Sequence, residues 1–148
     1  RGTIVKSPVS QIDLFPTLAE LCGITAPANL QGQSLVPMLN NSSVTGRGWA
    51  LTQVTRRNPT RTKVFHGYSL RTAQWRYTEW DGGKQGRELY DHETDPRELT
   101  NLADDLTKAS VVAKLSKQIR DVSKTTFPAS GKRPTLRDGT WLPNLTDP

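Results

Sequence analysis

One stretch decides the fold, residues 64–80, which read VFHGYSLRTAQWRYTEW. β-Branched and aromatic residues dominate both halves, and such residues favour strands. Ala73 and Gln74 are short enough for a tight turn, so the stretch predicts an antiparallel hairpin of two strands, Val64–Thr72 and Trp75–Trp80. Alternation along the second strand puts three residues on each face, Trp75, Tyr77 and Glu79 on one and Arg76, Thr78 and Trp80 on the other.

Flanking strands extend this hairpin into a meander. Trp49–Val54 has β-propensity before the hairpin, and Glu88–Asp91 forms a short strand after a loop that starts with Asp81-Gly82-Gly83. Gly67 predicts an interruption or a bulge in the strand that contains it. Four antiparallel strands of this kind leave one face to be covered by another element.

A C-terminal helix is the expected cover. It runs from about Asp105 or Thr107, either of which can serve as its N-cap, to Thr125. Its apolar stripe recurs at helical spacing and consists of Val111, Val112, Leu115, Ile119 and Val122. We therefore expect an α+β fold, a small four-stranded antiparallel sheet packed against a C-terminal helix.

An earlier helix is apolar on both faces. Pro16 is tolerated only in a first turn, so this helix is expected to start near Asp13 as its N-cap and to stop at Gly23. Such a helix needs a partner larger than the rest of the chain, and without one we expect self-association or a disordered N-terminal third. Cys22 at its end is interpreted as buried and inert.

Length and composition exclude several classes. A chain of 148 residues suits one domain, and it contains no apolar run of about 20 residues for a membrane span. A single cysteine excludes an internal disulfide. We find no phosphate-binding glycine loop, zinc-ligand spacing, serine nucleophile motif or nucleophile–base pair. The acidic residues 91–95 are better interpreted as a turn than as a metal site.

The net charge of +6 is segregated along the chain. No acidic residue lies between Glu20 and Glu79, and that stretch carries seven basic residues, whereas residues 79–105 carry nine acidic and three basic ones. Two interpretations stay open: scattered surface charge with internal pairs, or a surface for an anionic partner around residues 56–63. Arg71 and Arg76 lie in strands, and one or both are expected to be partly buried and to pair with acids such as Glu79, Glu88 or Asp95.

Four motifs, in order, carry a resemblance to a known family. Residues 9–24 (VSQIDLFPTLAELCGI) look like the helix that follows the catalytic core in type I sulfatases, and residues 31–39 (QGQSLVPML) are similar to the next segment. HGYSLRT with WRYTEW (residues 66–80) resembles the hairpin of iduronate-2-sulfatase and its bacterial relatives. ELYD, TDP and TNL (residues 88–102) resemble the family's closing strand and turn. The resemblance covers about residues 4–125.

The resemblance implies a large α/β domain of the alkaline-phosphatase type followed by a small C-terminal subdomain. It assigns residues 1–40 to the end of the catalytic domain and its connection, residues 41–128 to the subdomain, and residues 129–148 to an irregular tail. It also implies calcium and a formylglycine nucleophile for the full-length enzyme, and export to the periplasm, the extracellular space or the lysosome. None of that chemistry is expected in this chain, because Cys22 is followed by Gly-Ile-Thr and Asp91-His92 stands in the wrong context.

In the family this subdomain forms a wall of the substrate cleft, and a sulfated sugar is polyanionic. Arginine forks suit sulfate and carboxylate groups. By position and charge the expected substrate-binding residues are Gln53, Arg56, Arg57, Arg61 and His66. The expected partners are the catalytic domain and a sulfated carbohydrate, with no nucleic acid and no membrane. The alternative is a stand-alone basic module for an anionic glycan or nucleic acid, whose affinity would fall steeply with salt.

Overall fold

The computed structural model describes residues 2–60 and 62–126. The expected tail, residues 129–148, and the candidate Arg61 lie outside the described residues. The elements are, in chain order, α1 (Leu14–Leu21), α2 (Val36–Asn40), β1 (Trp49–Arg57), β2 (Val64–Thr72), β3 (Trp75–Trp80), β4 (Arg87–Asp91) and α3 (Ala109–Thr126). Single 3-10 turns, Gln11–Asp13 and Leu106–Lys108, precede α1 and α3.

The four strands form one antiparallel meander in the order β1-β2-β3-β4. Leu51, Leu70, Tyr77 and Leu89 stand in one row across the sheet, on one face. β1 ends at Arg57 rather than at Val54, because its ladder with β2 continues to Val64 and satisfies the backbone groups of both strands. The α+β prediction is confirmed.

The core lies between this row and α3. Val112, Leu115 and Ile119 of α3 are buried against Leu70, Tyr77 and Leu89. Burial of a large aliphatic side chain contributes roughly 1.5–3 kcal/mol, so the apolar stripe is what holds the helix on the sheet. Of the two predicted N-caps, the structure selects Asp105, because its Oδ1 accepts the Thr107 N–H at 2.8 Å.

The predicted interruption at Gly67 is wrong. The ladder runs unbroken through Val54, Gly67 and Trp80 as cross-strand neighbours. Glycine is needed here for a different reason, because a Cβ at position 67 would lie 2.5 Å from the Trp80 ring. The indole of Trp80 therefore rests against the backbone of β2 where any side chain would displace it.

Asp13 stands at the N-cap position of α1, as predicted, but its side chain makes no N-cap hydrogen bond there and instead forms a capping box with Ser10. Asp13 is fully buried at the end of the 3-10 turn, and its carboxylate accepts the Ser10 N–H at 2.8 Å and the Gln33 N–H at 3.0 Å. It also forms an ion pair with Nη2 of Arg47, just before β1. Asp13 thus caps the start of this helical segment and also joins it to two segments that are distant in sequence, at Gln33 and Arg47.

The end of α1 follows the prediction. Gly23 has φ +68°, and the Gly23 and Ile24 N–H groups return to the carbonyl oxygens of Glu20 and Ala19 at 3.1 and 2.8 Å. This is the glycine-dependent end of a helix in which a left-handed residue satisfies the last carbonyl groups. Cys22, next to it, is exposed rather than buried, because it lies beyond the last turn of α1, whose buried positions are Pro16, Thr17 and Ala19.

The large apolar side chains of α1 are uncovered. Leu14, Phe15, Leu18 and Leu21 are each more than half exposed, whereas the buried positions hold Pro16, Thr17 and Ala19. A contiguous apolar surface of this kind is typical of a contact site. These large side chains therefore lie on a side of α1 that the described residues leave uncovered, whereas Thr17 on the other side accepts the Leu35 N–H at 2.9 Å.

The outer edge of β4 is closed by residues that follow it. Asn101 Oδ1 accepts the Leu89 and Ala103 N–H groups at 2.9 and 3.0 Å, and its Nδ2 donates to the Arg87 carbonyl at 3.0 Å. The Leu102 N–H donates to the Leu89 carbonyl at 2.8 Å. One asparagine therefore does the work of an additional strand along this edge.

Candidate functional site: a groove on the open face of the sheet

α3 covers one face of the sheet, and we call the opposite face the open face. The register places Ser69, Thr78 and Glu88 in one row on the open face, beside a second row that contains Arg71 and Arg76. A groove of about 520 Å³ runs along it, within the range usual for ligand sites. The charged, polar and aromatic side chains that line it include Arg56, Ser69, Arg71, Arg76, Thr78, Trp80 and Glu88.

One end of the groove is formed by Arg56. Its guanidinium carbon lies 4.0 Å from the centre of the Trp80 ring, a cation–π distance. Trp80 is itself fixed because it is buried and rests on Gly67. No carboxylate pairs with Arg56 among residues 2–60 and 62–126, so this end presents an oriented positive charge.

The other end is formed by Arg71 and Arg76, which are direct cross-strand neighbours. Nη1 of Arg71 donates to the carbonyl oxygens of Thr72, Ala73 (3.2 Å) and Trp75 (3.4 Å), which orient the guanidinium without neutralising it. Burial lowers the pKa of Arg71, and the charge of Arg76 lowers it further. This end therefore concentrates positive charge in a partly desolvated place.

The acid that pairs with Arg76 is Glu98, not the predicted Glu79, Glu88 or Asp95. Arg76 Nε lies 2.8 Å from Glu98 Oε1, and the same oxygen lies 2.6 Å from Nε2 of His92. The turn after β4 brings Glu98 to the end of the groove that contains Arg76. Glu79 cannot reach it, because alternation along β3 places Glu79 on the face covered by α3. One carboxylate thus serves a cluster of two arginines and a histidine.

The middle of the groove is polar and carries no cation. Thr78 Oγ1 donates to Ser69 Oγ at 3.0 Å across β2 and β3. Glu88 stands beside Thr78, and no ion pair to it occurs within the part of the chain that the structure describes. Along the groove the charge therefore changes from positive to negative and back to positive.

The structure divides the five predicted substrate-binding residues. Gln53 and His66 lie on the α3 side of the sheet, where Gln53 Nε2 is 3.2 Å from His66 Nδ1. Arg57 shares that side by strand alternation, whereas Arg56 lies on the open face. The hairpin of β1 and β2 brings all four to the same end of the sheet but on two different faces.

Sequence reasoning did not select Ser69, Trp80 or Glu88, and it assigned structural roles to Arg71 and Arg76. The available signal was the alternation in β3, which already set Arg76 and Trp80 on the face opposite Tyr77. Once the stripe of α3 is docked on the Tyr77 face, the face with Arg76 and Trp80 is the one that α3 leaves uncovered.

A second polar cluster lies beneath α3 and is structural. Glu79 is 3% exposed, and its Oε2 accepts the Tyr77 hydroxyl at 3.0 Å and the Ser116 hydroxyl at 2.7 Å. Burial, and then the charge and hydrogen bond of Glu79, raise the pKa of Tyr77 to about 12. Tyr77 is therefore protonated at neutral pH and donates its hydrogen bond to Glu79, and through Ser116 the cluster connects α3 to the sheet.

The described residues contain no set of side chains suited to bind a metal ion. No group of three or more His, Cys, Asp or Glu side chains in residues 2–60 and 62–126 is arranged to hold an ion. Asp91 accepts the Glu93 N–H at 3.0 Å and Asp95 accepts the Thr100 N–H at 2.8 Å, so both carboxylates stabilise turns. The resemblance implies calcium for the full-length enzyme, and the described residues offer no ligand set for it.

No helix of the described residues has the length and apolarity to cross a membrane. The sequence profile of the family described as "N-sulphoglucosamine sulphohydrolase, C-terminal" matches residues 1–125. The chain belongs to this family. It is thus a C-terminal portion of a type I sulfatase, as the motifs predicted.

Curated relatives agree with this family. Arylsulfatase K of Mus musculus is 34% identical over 126 residues, covering 80% of this chain and 22% of the relative. Arylsulfatase K of Homo sapiens is 36% identical over 120 residues, covering 69% and 20%. The chain therefore spans about a fifth of the length of these relatives.

Solved structures show the same architecture. A 2-O GAG sulfatase matches with a TM-score of 0.65 and 27% identity, over 82% of this chain and 26% of that one. A protein solved with its substrate D-glucosamine-2-N,6-O-disulfate matches with a TM-score of 0.64 and 27% identity, over 76% and 23%. The sheet-and-helix unit is thus a recurrent part of sulfatase structures.

Proposed function

We propose that this chain is the C-terminal subdomain of an enzyme that hydrolyses sulfate esters of an anionic sugar, and that it forms one wall of the substrate cleft. The observation that carries the proposal, beside the family, is Arg56. It is an arginine held over Trp80 at 4.0 Å with no carboxylate partner among the described residues. A guanidinium fixed in this way is suited to grip sulfate or carboxylate with two parallel hydrogen bonds.

We assign Arg57, Gln53 and His66 to the rim of the same wall, with Arg61 as a further candidate beyond the described residues. The Gln53–His66 contact of 3.2 Å keeps both polar side chains at the hairpin end of the sheet. Iduronate-2-sulfatase-like specificity is our proposal for the substrate, because a uronate that bears sulfate offers two anionic groups to these basic residues. The two sugar sulfatase structures support the wider class of sulfated sugars, glycosaminoglycans among them.

The reaction centre is proposed to lie in an α/β domain that precedes this unit. That domain supplies formylglycine as the nucleophile and calcium to balance the charge of the sulfate group. The exposed apolar side chains of α1 support a docking contact with that domain, and we place the boundary near residue 40, between α2 and the sheet. Export, as in the family, belongs to the same proposal. Without that domain the chain is expected to be inactive and to self-associate through α1.

The test compares hydrolysis by the full-length sulfatase that contains this chain with hydrolysis by the chain alone. With calcium present, the full-length protein is expected to hydrolyse 4-nitrophenyl sulfate and a sulfated uronate disaccharide, and the chain alone neither. Arg56→Gln is expected to raise KM for the disaccharide about tenfold, which corresponds to roughly 1.4 kcal/mol.

The matched control is Lys114→Gln, because it also removes one positive charge but lies exposed on α3, across the sheet from the groove. It is expected to leave both activities unchanged. Calcium-dependent hydrolysis by the isolated chain, or an inactive full-length protein, would overturn the proposal. Steeply salt-dependent binding of nucleic acid by the isolated chain would favour the alternative of a basic binding module.

A further inference from the structure

We propose that the open-face groove is an extended subsite in which Arg71 and Arg76 bind a second anionic group of the sugar, remote from the group held by Arg56. The inference rests on the proposed function and deepens it. It makes the substrate an oligosaccharide with anionic groups on more than one sugar unit, and it makes Arg71 and Arg76 specificity-determining residues.

The first argument is distance. Arg56 pairs with Phe65, and Arg71 pairs with Ala50, so the two arginines stand six positions apart along β1. At about 3.4 Å per residue their backbone positions are about 20 Å apart. Both side chains line one continuous groove of about 520 Å³. A single sugar ring is too short to reach both ends, whereas a short oligosaccharide can.

The second argument is the charge at the far end. Arg71 and Arg76 lie directly opposite each other on neighbouring strands, an arrangement of like charges that destabilises a sheet. Glu98 balances only part of this charge, because it is one carboxylate beside two guanidinium groups and its Oε1 lies 2.8 Å from Arg76 alone of the two. An anion between the two guanidinium groups would relieve the repulsion that the fold retains.

The third argument is the middle of the groove. Ser69 and Thr78 offer hydroxyl groups, and Glu88 offers a carboxylate without an ion-pair partner among the described residues. A carboxylate accepts hydrogen bonds from sugar hydroxyl groups and repels sulfate. The groove therefore favours a ligand whose anionic groups sit at its two ends, with neutral hydroxyl groups between them.

The experiment uses the full-length protein and two substrates, a sulfated uronate-containing tetrasaccharide and the corresponding sulfated monosaccharide. The quantity measured is the ratio of kcat/KM for the tetrasaccharide to that for the monosaccharide. Arg76→Gln is expected to lower this ratio about tenfold, Arg76→Lys is expected to lower it less, and Lys114→Gln is expected to leave it unchanged. A ratio that is unchanged in Arg76→Gln overturns the proposal.

Two further measurements, of tetrasaccharide binding and of thermal stability, distinguish a failure of this proposal from a failure of the proposed function. If the protein hydrolyses no sulfate ester, the proposed function fails, and calorimetric binding of the tetrasaccharide then tests the groove. About tenfold weaker binding by Arg76→Gln supports the groove, and equal binding overturns it. A loss of thermal stability with an unchanged ratio would mean that Arg76 acts only through its ion pair with Glu98, which also overturns the proposal.

Discussion

The buried Asp13–Arg47 pair offers the sharpest test of how the N-terminal segment is held to the sheet. Asp13 is fully buried and accepts N–H groups from Ser10 and Gln33 at 2.8 and 3.0 Å, in addition to the guanidinium of Arg47. Asp13→Asn keeps the volume of the side chain, removes its charge and turns one of its two acceptors into a donor. Whichever way the amide points, at least one N–H loses its acceptor.

The expected cost follows from these contacts. One buried donor without an acceptor costs about 1–3 kcal/mol, and loss of one partner from a buried ion pair costs about 3–5 kcal/mol. Arg47 keeps two other contacts, a hydrogen bond from Nη1 to the Gln31 carbonyl at 3.2 Å and the Trp49 ring at 5.2 Å, so the lower end of this range applies. We expect Asp13→Asn to lower the free energy of unfolding by about 3 kcal/mol.

The assay is urea unfolding followed by tryptophan fluorescence, combined with hydrogen exchange at the Ser10 and Gln33 amides. Both amides are expected to lose protection in Asp13→Asn. Arg47→Met is expected to cost less in the Asp13→Asn background than in the wild type, because the two residues are coupled. The control is Asp121→Asn on α3, where an exposed carboxylate pairs with Lys117, and no measurable change is expected. If Asp13→Asn proves as stable as this control, the reasoning is refuted.

Three other substitutions test other parts of the structure. Gly67→Ala should cost about 1–3 kcal/mol, because its Cβ meets the Trp80 ring at 2.5 Å, and unaltered urea unfolding would contradict this. Asn101→Ala should cost about 1–3 kcal/mol and expose the β4 edge to hydrogen exchange, so retained protection there would argue against its role as a strand substitute. Tyr77→Phe should cost about 1 kcal/mol at neutral pH. Because the folded pKa of Tyr77 is raised to about 12, its contribution is complete below about pH 10 and is lost between pH 10 and 12, so the difference from wild type should shrink over that window in unfolding measured against pH.

Local patterns were enough to predict the elements of this fold. The stripe of α3 and the alternation in β2 and β3 are periodic over many residues, so the hydrophobic effect leaves one arrangement in which both are buried. Gly23 was equally predictable, because a left-handed helix end needs glycine and depends only on its immediate neighbours. The family motifs identified the C-terminal sulfatase unit before any coordinates, and the profile match over residues 1–125 confirmed it.

Contacts between distant segments were not predictable in the same way. The sequence of its own strand predicts a bulge at Gly67. The need for glycine at this position is explained only by the ring of Trp80 on the next strand. The sequence predicts Asp13 as a helix cap. Its burial is explained only by its contact with Arg47, which lies 34 residues later in the chain. The partner of Arg76 could not be chosen among several acids, because a turn after β4 decides which carboxylate comes within 2.8 Å.

The sequence by itself determined the four strands, the covering helix, the uncovered apolar helix at the N-terminal side and the family, since each depends on periodicity or on an ordered set of short motifs. The tertiary structure alone decided which side chains share the groove. Strand alternation sends neighbours in sequence, such as Arg56 and Arg57, to opposite faces, and pairing then brings Arg71 beside Arg76 and Arg56 onto Trp80. Because α3 occupies one face, Arg56, Arg71 and Arg76 lie together on the other face.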